Sequence, residues 1–316
     1  MPLSDFDAAL MRWRQTEGGR PTLINLSENH TFRVEGPGGT HILRLHRPGY
    51  QSPAAIDSEM AWLQALRAAG AVRLPRPLPG TDGALVQEVE EGRFAVLFAL
   101  EPGREPTPED DLRSLFRTIG EYAARTHRHV EQWPLPPGFT RPTWDAGAIL
   151  DADGLWGDWR HAPNLTAAGR TTLAALDERL RLVLTAYGTG RDRFGLIHAD
   201  MRLANLLVAP HRTTLIDFDD CGFGWFLYDF AASLSFLETS PLAPELRRSW
   251  IAGYTAVRPL QAEDLAVIGA LVLLRRMALL AWIGSHSETP LARQHAPRFA
   301  ADTVTLAAGW LAAPVA

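Results

Sequence analysis

The sequence predicts an α+β chain in two lobes: a small N-terminal antiparallel sheet carrying one helix, then a larger, mainly helical C-terminal lobe. Three observations lead there. The chain has 316 residues, about twice the ~150 typical of one domain. Alternating apolar patterns punctuated by glycine turns crowd into the first hundred residues. Helical periodicity takes over after Glu101-Pro102-Gly103. The expected domains are therefore 1–100 and 101–316, with a hinge at about 98–104.

The elements follow in order. Residues 31–35 are β-like, Gly36-Pro37-Gly38-Gly39 turns the chain, and residues 40–47 alternate again, which makes a hairpin within 21–47. Ser52 is an N-cap, Pro53 suits a first helical turn and Gly70 sits at a C′ position, so one amphipathic helix spans 53–69. Residues 83–100 form a second hairpin around Glu91-Gly92 and end in an apolar run. Thr107-Pro108 opens a helix carrying Leu112, Leu115, Phe116, Ile119 and Tyr122. A loop-rich stretch, 133–165, holds Trp144, Trp156 and Trp159, whose rings either pack or line an acceptor pocket. A helix over 166–187 precedes two short apolar strands, 195–198 and 213–218, that flank a polar segment. From about 229 onward the pattern is mostly helical, and no 20–50-residue repeat is visible.

Composition narrows the function. Hydrophobic residues make up 46% and charged residues 21%, which excludes a disordered or fibrous chain. The net charge of −5 leaves no basic surplus to neutralise many phosphates, so no nucleic acid partner is expected. All 31 basic residues are Arg; any site that would use Lys must use Arg or do without. The one cysteine, Cys221, excludes an internal disulfide framework and suggests a reducing compartment. Residues 1–14 lack an apolar h-region, and the apolar run 265–283 is interrupted by Arg275 and Arg276, costly at the centre of a membrane span. A soluble, cytoplasmic chain with no membrane partner is expected.

The strongest chemical signal is His198-Ala199-Asp200-Met201-Arg202-Leu203-Ala204-Asn205, set between apolar strands, with an apolar-flanked Asp217 twelve residues after Asn205. In phosphoryl transfer a protein must hold Mg2+ on the phosphates, orient the attacking hydroxyl and neutralise charge on the migrating group. Asp200 would orient the hydroxyl and accept its proton. Asn205 and Asp217 would ligate Mg2+ through oxygen, as a hard cation prefers. Arg202 stands where a cation can stabilise the migrating phosphoryl, and His198 holds the loop through backbone. Asp200, Asp217, Asp219 and Asp220 would repel one another without a cation. For Asp219 and Asp220 a solvated acidic turn is an equal reading.

In the first lobe, Glu59 falls inside the apolar stripe of Ile56, Leu63 and Leu66, and a carboxylate on a buried face needs a partner. Arg44, mid-strand on a face with Ile42 and His46, is the natural candidate.

These motifs resemble the aminoglycoside phosphotransferase and choline kinase superfamily, which has a protein-kinase-like fold. The likeness extends across most of the chain, through Leu43-Arg44-Leu45-His46-Arg47-Pro48-Gly49, Val96-Leu97-Phe98, Pro102-Gly103, Arg141-Pro142-Thr143-Trp144-Asp145 and Gly222-Phe223-Gly224-Trp225-Phe226-Leu227-Tyr228-Asp229. It looks nearest to the branch of stress-response kinase A and type II homoserine kinases. The resemblance implies that Arg44 touches the α/β-phosphates of ATP and is held by Glu59. It makes Phe98 and Leu100 part of the hinge that meets adenine, and Asp229 a structural support of the catalytic loop. Three departures stand out. Arg44 replaces a family Lys. The loop Leu26-Ser27-Glu28-Asn29-His30 has no glycine, which leaves Ser27 and Asn29 as side-chain contacts to the phosphates or as a plain turn. Arg202 stands where the small-molecule kinases usually have His, which favours a protein acceptor.

The expected activity is thus Mg2+-dependent transfer of the γ-phosphoryl of ATP to a hydroxyl acceptor, foremost a protein Ser/Thr. The alternatives are a small-molecule kinase of homoserine, choline or aminoglycoside type, or a nucleotide-binding regulatory module without catalysis. Near-equal acidic and basic counts in 231–316 argue against polycationic aminoglycosides.

Overall fold

Ser52 and Pro53 start the helix over 53–68 as their chemistry dictates: the Ser52 hydroxyl accepts from the Ala55 N–H, and Pro53 needs no partner in the first turn. The computed structural model describes residues 9–26 and 29–313. In chain order the elements are β1 (Arg20–Leu26), β2 (His30–Gly36), β3 (Gly39–Leu45), α1 (Pro53–Ala68), β4 (Pro77–Leu78), β5 (Gln87–Glu90), β6 (Arg93–Ala99), α2 (Leu112–Gln132), β7 (Thr143–Trp144), α3 (Ala146–Leu150), α4 (Ala167–Tyr187), β8 (Phe194–Ile197), β9 (Leu206–Ala209), β10 (Arg212–Leu215), β11 (Gly222–Trp225), α5 (Tyr228–Ser233), α6 (Ala243–Thr255), α7 (Ala262–Ser285) and α8 (Pro290–Ala312). They pack as two units.

The first unit runs up to Pro106 and takes in Pro134–Arg141 and Ala204–Asp219. Its antiparallel sheet has the order β1-β2-β3-β6-β4, with β5 also paired to β6. Trp13, Phe32, Val34, Leu43, Leu45, Leu78 and Leu97 form its core, and α1 buries Ile56, Met60, Leu63 and Leu66 together with Glu59. The antiparallel ribbon β9–β10 belongs here rather than with the later helices. Arg104 and Val208 exchange two backbone hydrogen bonds of 3.0 and 2.8 Å, and the Leu215 N–H donates to the Arg73 carbonyl at 3.0 Å. Gly103 allows that approach: its φ is +137°, and a Cβ there would lie 3.0 Å from the Val208 oxygen. A single cut near residue 100 therefore does not describe the chain.

In the second unit β11 lies between β8, antiparallel, and β7, parallel. Helices α2 and α6 cross with their backbones in contact. A Cβ on Gly120 would stand 2.1 Å from the Trp250 carbonyl oxygen, and one on Gly253 would stand 1.9 Å from that of Arg117. Helix α2 begins later than Thr107-Pro108 suggests, because Asp111 is the residue whose carboxylate caps it, on the Ser114 N–H; Thr107 instead donates to Asp110 in an exposed turn. Helix α7 is long and apolar enough to cross a membrane, yet it is a core helix of this unit, and both Arg275 and Arg276 are buried with it.

Candidate functional site

Chemistry-bearing side chains gather in each unit. In the first, β3 carries Arg44 inward, where its Nη2 donates to Glu59 Oε2 at 2.6 Å; the two side chains are 6% and 0% exposed. Arg44 Nη1 lies 3.6 Å from Asp217 Oδ1 and 3.9 Å from Asp219 Oδ1, and the guanidinium stands over the Phe98 ring, 5.5 Å from its centroid. Burial works against the charge on Arg44, but Glu59, Asp219 and Asp217 outweigh it and lift its pKa above the ordinary value. Burial pushes the Glu59 carboxyl upward, with Arg44 opposing.

Asp219 is not a solvated turn. It is buried and accepts from Asn29 Nδ2 at 2.6 Å and Gln51 Nε2 at 3.0 Å, while its backbone carbonyl accepts from Gln51 and Arg141. Burial would raise its pKa, yet Arg44, His46, Arg141 and Asn29 hold it below the usual carboxylate range. Asn29 has partners within this unit. Its amide N–H goes to Asp219 and its amide oxygen accepts from the Arg47 N–H at 3.3 Å, so the side chain joins Asp219 to the chain just after β3. Ser27 lies outside the described residues. At the end of β6, Phe98 is buried against Arg44, and Leu100 is 42% exposed.

Asn205 and Asp217 come to the same end of the β9–β10 ribbon. Leu206 pairs with Leu215, and one step beyond, the Ile216 N–H donates to the Asn205 carbonyl at 2.9 Å. Asp217 has φ +62°, a left-handed conformation that Asp tolerates, and its side chain is 43% exposed. Among the described residues no three His, Cys, Asp or Glu are grouped to hold a metal. A hard cation bound to phosphates asks for less: one or two oxygen ligands from protein, the rest from phosphate and water. One amide and one half-exposed carboxylate at a ribbon end fit that demand.

In the second unit, β8 leads into the loop that carries Asp200. Ala199 is held at φ +66°, unusual for a residue with a Cβ. Asp229, fully buried at the start of α5, keeps it there: Oδ1 accepts from the Ala199 N–H at 2.8 Å and Oδ2 from the His198 N–H at 3.2 Å. His127 Nε2 lies 3.0 Å from the same Oδ2, and its Nδ1 lies 3.0 Å from the Tyr254 hydroxyl. Burial lowers the His127 pKa, with Asp229 opposing; a neutral ring donates from Nε2 and accepts from Tyr254. The His198 side chain accepts from the Asp200 N–H at 3.3 Å and so shapes the loop.

The Asp200 carboxylate, 14% exposed, meets two guanidiniums. Arg202 Nε donates to Oδ2 at 3.0 Å, and Arg275 Nη2 donates to Oδ1. Burial would raise its pKa, but Arg202, Arg275 and His198 push it down to about 2. Arg275 also donates from Nη1 to the Ala199 carbonyl and from Nε to Ser235 Oγ, each at 3.2 Å. Its guanidinium lies 4.9 Å from the Trp156 ring centroid and 5.8 Å from that of Tyr228. Trp144 donates to the Asp220 carbonyl and Trp159 to Asp177. With Trp156, these rings are buried in the interior of the unit. Arg275 was legible in the sequence only as an arginine in an otherwise apolar run, a residue that must find a buried anion.

One unit thus offers a cationic fork beside two hard oxygen ligands. The other offers a carboxylate kept ionised in a fixed orientation with a part-exposed arginine beside it. That is an inventory for phosphoryl transfer.

A model of the phosphotransferase enzyme family matches residues 22–264. The chain belongs to that family. It is a kinase-type phosphotransferase of the aminoglycoside phosphotransferase and choline kinase superfamily, with the kinase-like α+β fold. The structure of a microcompartment-associated aminopropanol kinase is similar at 40% identity and a TM-score of 0.90, covering 98% of both chains. An uncharacterized protein of Deinococcus radiodurans is 32% identical over 81% of this chain and 74% of its own. The amicoumacin kinase of Bacillus subtilis (strain 168) is 25% identical over 80% of this chain and 76% of its own. The named relatives are small-molecule kinases, so the expectation of a protein Ser/Thr acceptor, which leaned on Arg202, is not supported; the small-molecule alternative is.

Proposed function

We propose that this phosphotransferase moves the γ-phosphoryl group of ATP, with a divalent cation, to the hydroxyl of a small amino alcohol of the aminopropanol type. The observation that carries the acceptor class is the 40% identity with an aminopropanol kinase over nearly the whole of both chains. The two groups of side chains support the chemistry.

Arg44, braced by Glu59, binds the α/β-phosphates through its planar fork. Asn205 and Asp217 would hold the divalent cation, Mg2+ being the expected ion. Bound there, it would neutralise phosphate oxygens and the charge of the departing ADP. Asp200 accepts a hydrogen bond from the acceptor hydroxyl and aligns its oxygen for attack. As the new O–P bond forms and the bond from phosphorus to the ADP oxygen breaks, the hydroxyl proton passes to the Asp200 carboxylate and then to water. Arg202 neutralises charge on the migrating group.

The test is transfer of labelled γ-phosphate from ATP to 1-amino-2-propanol, ethanolamine, homoserine and choline, with the wild type beside Asp200→Asn. Label in a phosphorylated amino alcohol, lost by at least 10³-fold in the variant, is the expected result. Label in none of the amino alcohols, or equal turnover by Asp200→Asn, would overturn the reading.

A further inference from the structure

Two arginines hold one carboxylate, and they hold it differently. Arg275 rises from the middle of α7, a helix that buries mostly apolar residues besides Asp264 and the neighbouring Arg276, and its side chain is 2% exposed. Arg202 belongs to the loop itself, and its side chain keeps 26% of its surface. Arg275 is anchored on every side: Ser235 on Nε, the Ala199 carbonyl on Nη1, Asp200 Oδ1 on Nη2, with the rings of Trp156 and Tyr228 close by. Its two terminal nitrogens read a backbone carbonyl and the next residue's carboxylate from one rigid plane. Because a guanidinium is planar, that arrangement fixes the angle of the Asp200 side chain relative to the strained Ala199 backbone. An ammonium, a single point with three rotatable donors, would fix no such angle.

We propose that Arg275 is the positioning residue of Asp200: it pins Oδ1 permanently and leaves Oδ2, the oxygen that the part-exposed Arg202 holds, as the one that receives the acceptor hydroxyl. This rests on the reading of Asp200 as the hydroxyl-orienting group. The ordering cost of the buried fork is met when the chain folds, so the carboxylate is in place before the acceptor arrives. Arg202 can leave Oδ2 for the migrating phosphoryl without exposing an uncompensated carboxylate, because Arg275 remains.

The charged and titratable groups around Asp200 include Arg202 and His198 from its own loop, Arg275 from α7 and Tyr228 from α5, with Asp220 acting on both Arg275 and Tyr228. Removing Arg275 deletes one of two cations while burial still disfavours the anion, so the carboxylate should protonate at higher pH. The experiment is the pH dependence of kcat/KM for the acceptor in wild type, Arg275→Gln and Arg275→Lys, with thermal unfolding and nucleotide affinity as controls. The wild type should show no acid limb from Asp200 above about pH 5. Arg275→Gln should bring that limb up by a unit or more and lower kcat about 10- to 100-fold on the plateau, while nucleotide affinity stays within a few-fold. Arg275→Lys should keep the limb near its wild-type place but still lose about tenfold in kcat, since the charge returns and the fork does not. A folded Arg275→Gln with an unmoved limb, or Arg275→Lys with full kcat, would overturn the proposal. If Arg275→Gln does not fold, the Lys variant decides alone. Turnover surviving in Asp200→Asn would instead refute the underlying reading of Asp200.

Discussion

Replacing Asp229 by Asn changes one atom and should disable the loop that carries Asp200. The carboxylate is fully buried and takes three hydrogen bonds: the Ala199 N–H on Oδ1, and the His198 N–H and His127 Nε2 on Oδ2. An amide has one oxygen. Placed at Oδ2 it keeps His198 and His127 but points its own N–H at that of Ala199, the shortest of the three contacts. Turned over, it keeps Ala199 and loses two. Even the better choice forfeits a charge-assisted bond worth about 1.5–3 kcal/mol and leaves a buried donor unpaired, so the loss is about 2–4 kcal/mol. Ala199, held at φ +66° by that bond, is then free to relax, and Asp200 moves with it. A displacement of about 1 Å at the reacting group costs on the order of 10²-fold in rate. The assays are thermal unfolding, expected to fall by about 5–10 °C, and kcat for the acceptor, expected to fall about a hundredfold with nucleotide affinity nearly unchanged. A variant that melts within about 1 °C of wild type and keeps its kcat would refute the reasoning that Asp229 holds this loop.

Other outcomes follow from the same geometry. Asp217→Ala should weaken binding of metal-nucleotide by at least tenfold in a calorimetric titration with Mg2+; unchanged affinity would remove Asp217 from the ligand set. Arg44→Lys cannot reach Glu59 while staying beside Asp217 and Asp219, and should raise KM for ATP about tenfold in steady-state assays, with the acceptor KM unmoved. Gly120→Ala drives a Cβ to 2.1 Å from the Trp250 carbonyl oxygen, so the α2–α6 crossing must open, at a cost of about 1–3 kcal/mol or more in denaturant unfolding; an unchanged midpoint would deny the close crossing. His46 is buried, and burial followed by Arg44 lowers its pKa to about 3. The unfolded chain therefore takes up this proton first. Its contribution to stability is complete above about pH 6.5 and declines as pH falls toward 3, by at most about 1.4 kcal/mol per unit. His46→Gln should flatten the acid side of the unfolding-temperature curve.

What could be read from the sequence had a local cause. Ser52-Pro53 and the stripe of Ile56, Leu63 and Leu66 announce α1 because capping and periodicity act within a few residues. Glu59 gave away its need for a partner because a carboxylate in an apolar stripe has no local solution. The hydrogen bond from Asn29 to Asp219 could not be foreseen, since nothing near Asn29 in sequence reveals a residue 190 positions later. Asp219 itself looked as much like a wet turn as a hub; only the convergence of Asn29, Gln51, Arg44 and Arg141 decides it. The β9–β10 ribbon joins the first unit through Arg104 and Arg73, contacts that leave no periodic trace. Arg275 was visible as an anomaly in an apolar run, but its target, Asp200, lies 75 residues upstream.

The ion pairs described above also set how the protein meets alkali. The chain has no Lys, so the arginine cations facing Glu59 and Asp200 keep their protons to beyond about pH 12, where a Lys would have given up its own near 10.4. Burial also pushes the Tyr187 and Tyr254 hydroxyls upward. The charge pattern that clamps the two carboxylates is therefore the same at pH 7 and at pH 11. The alkaline edge of this enzyme's working range is therefore set by what it binds and not by the scaffold that receives it.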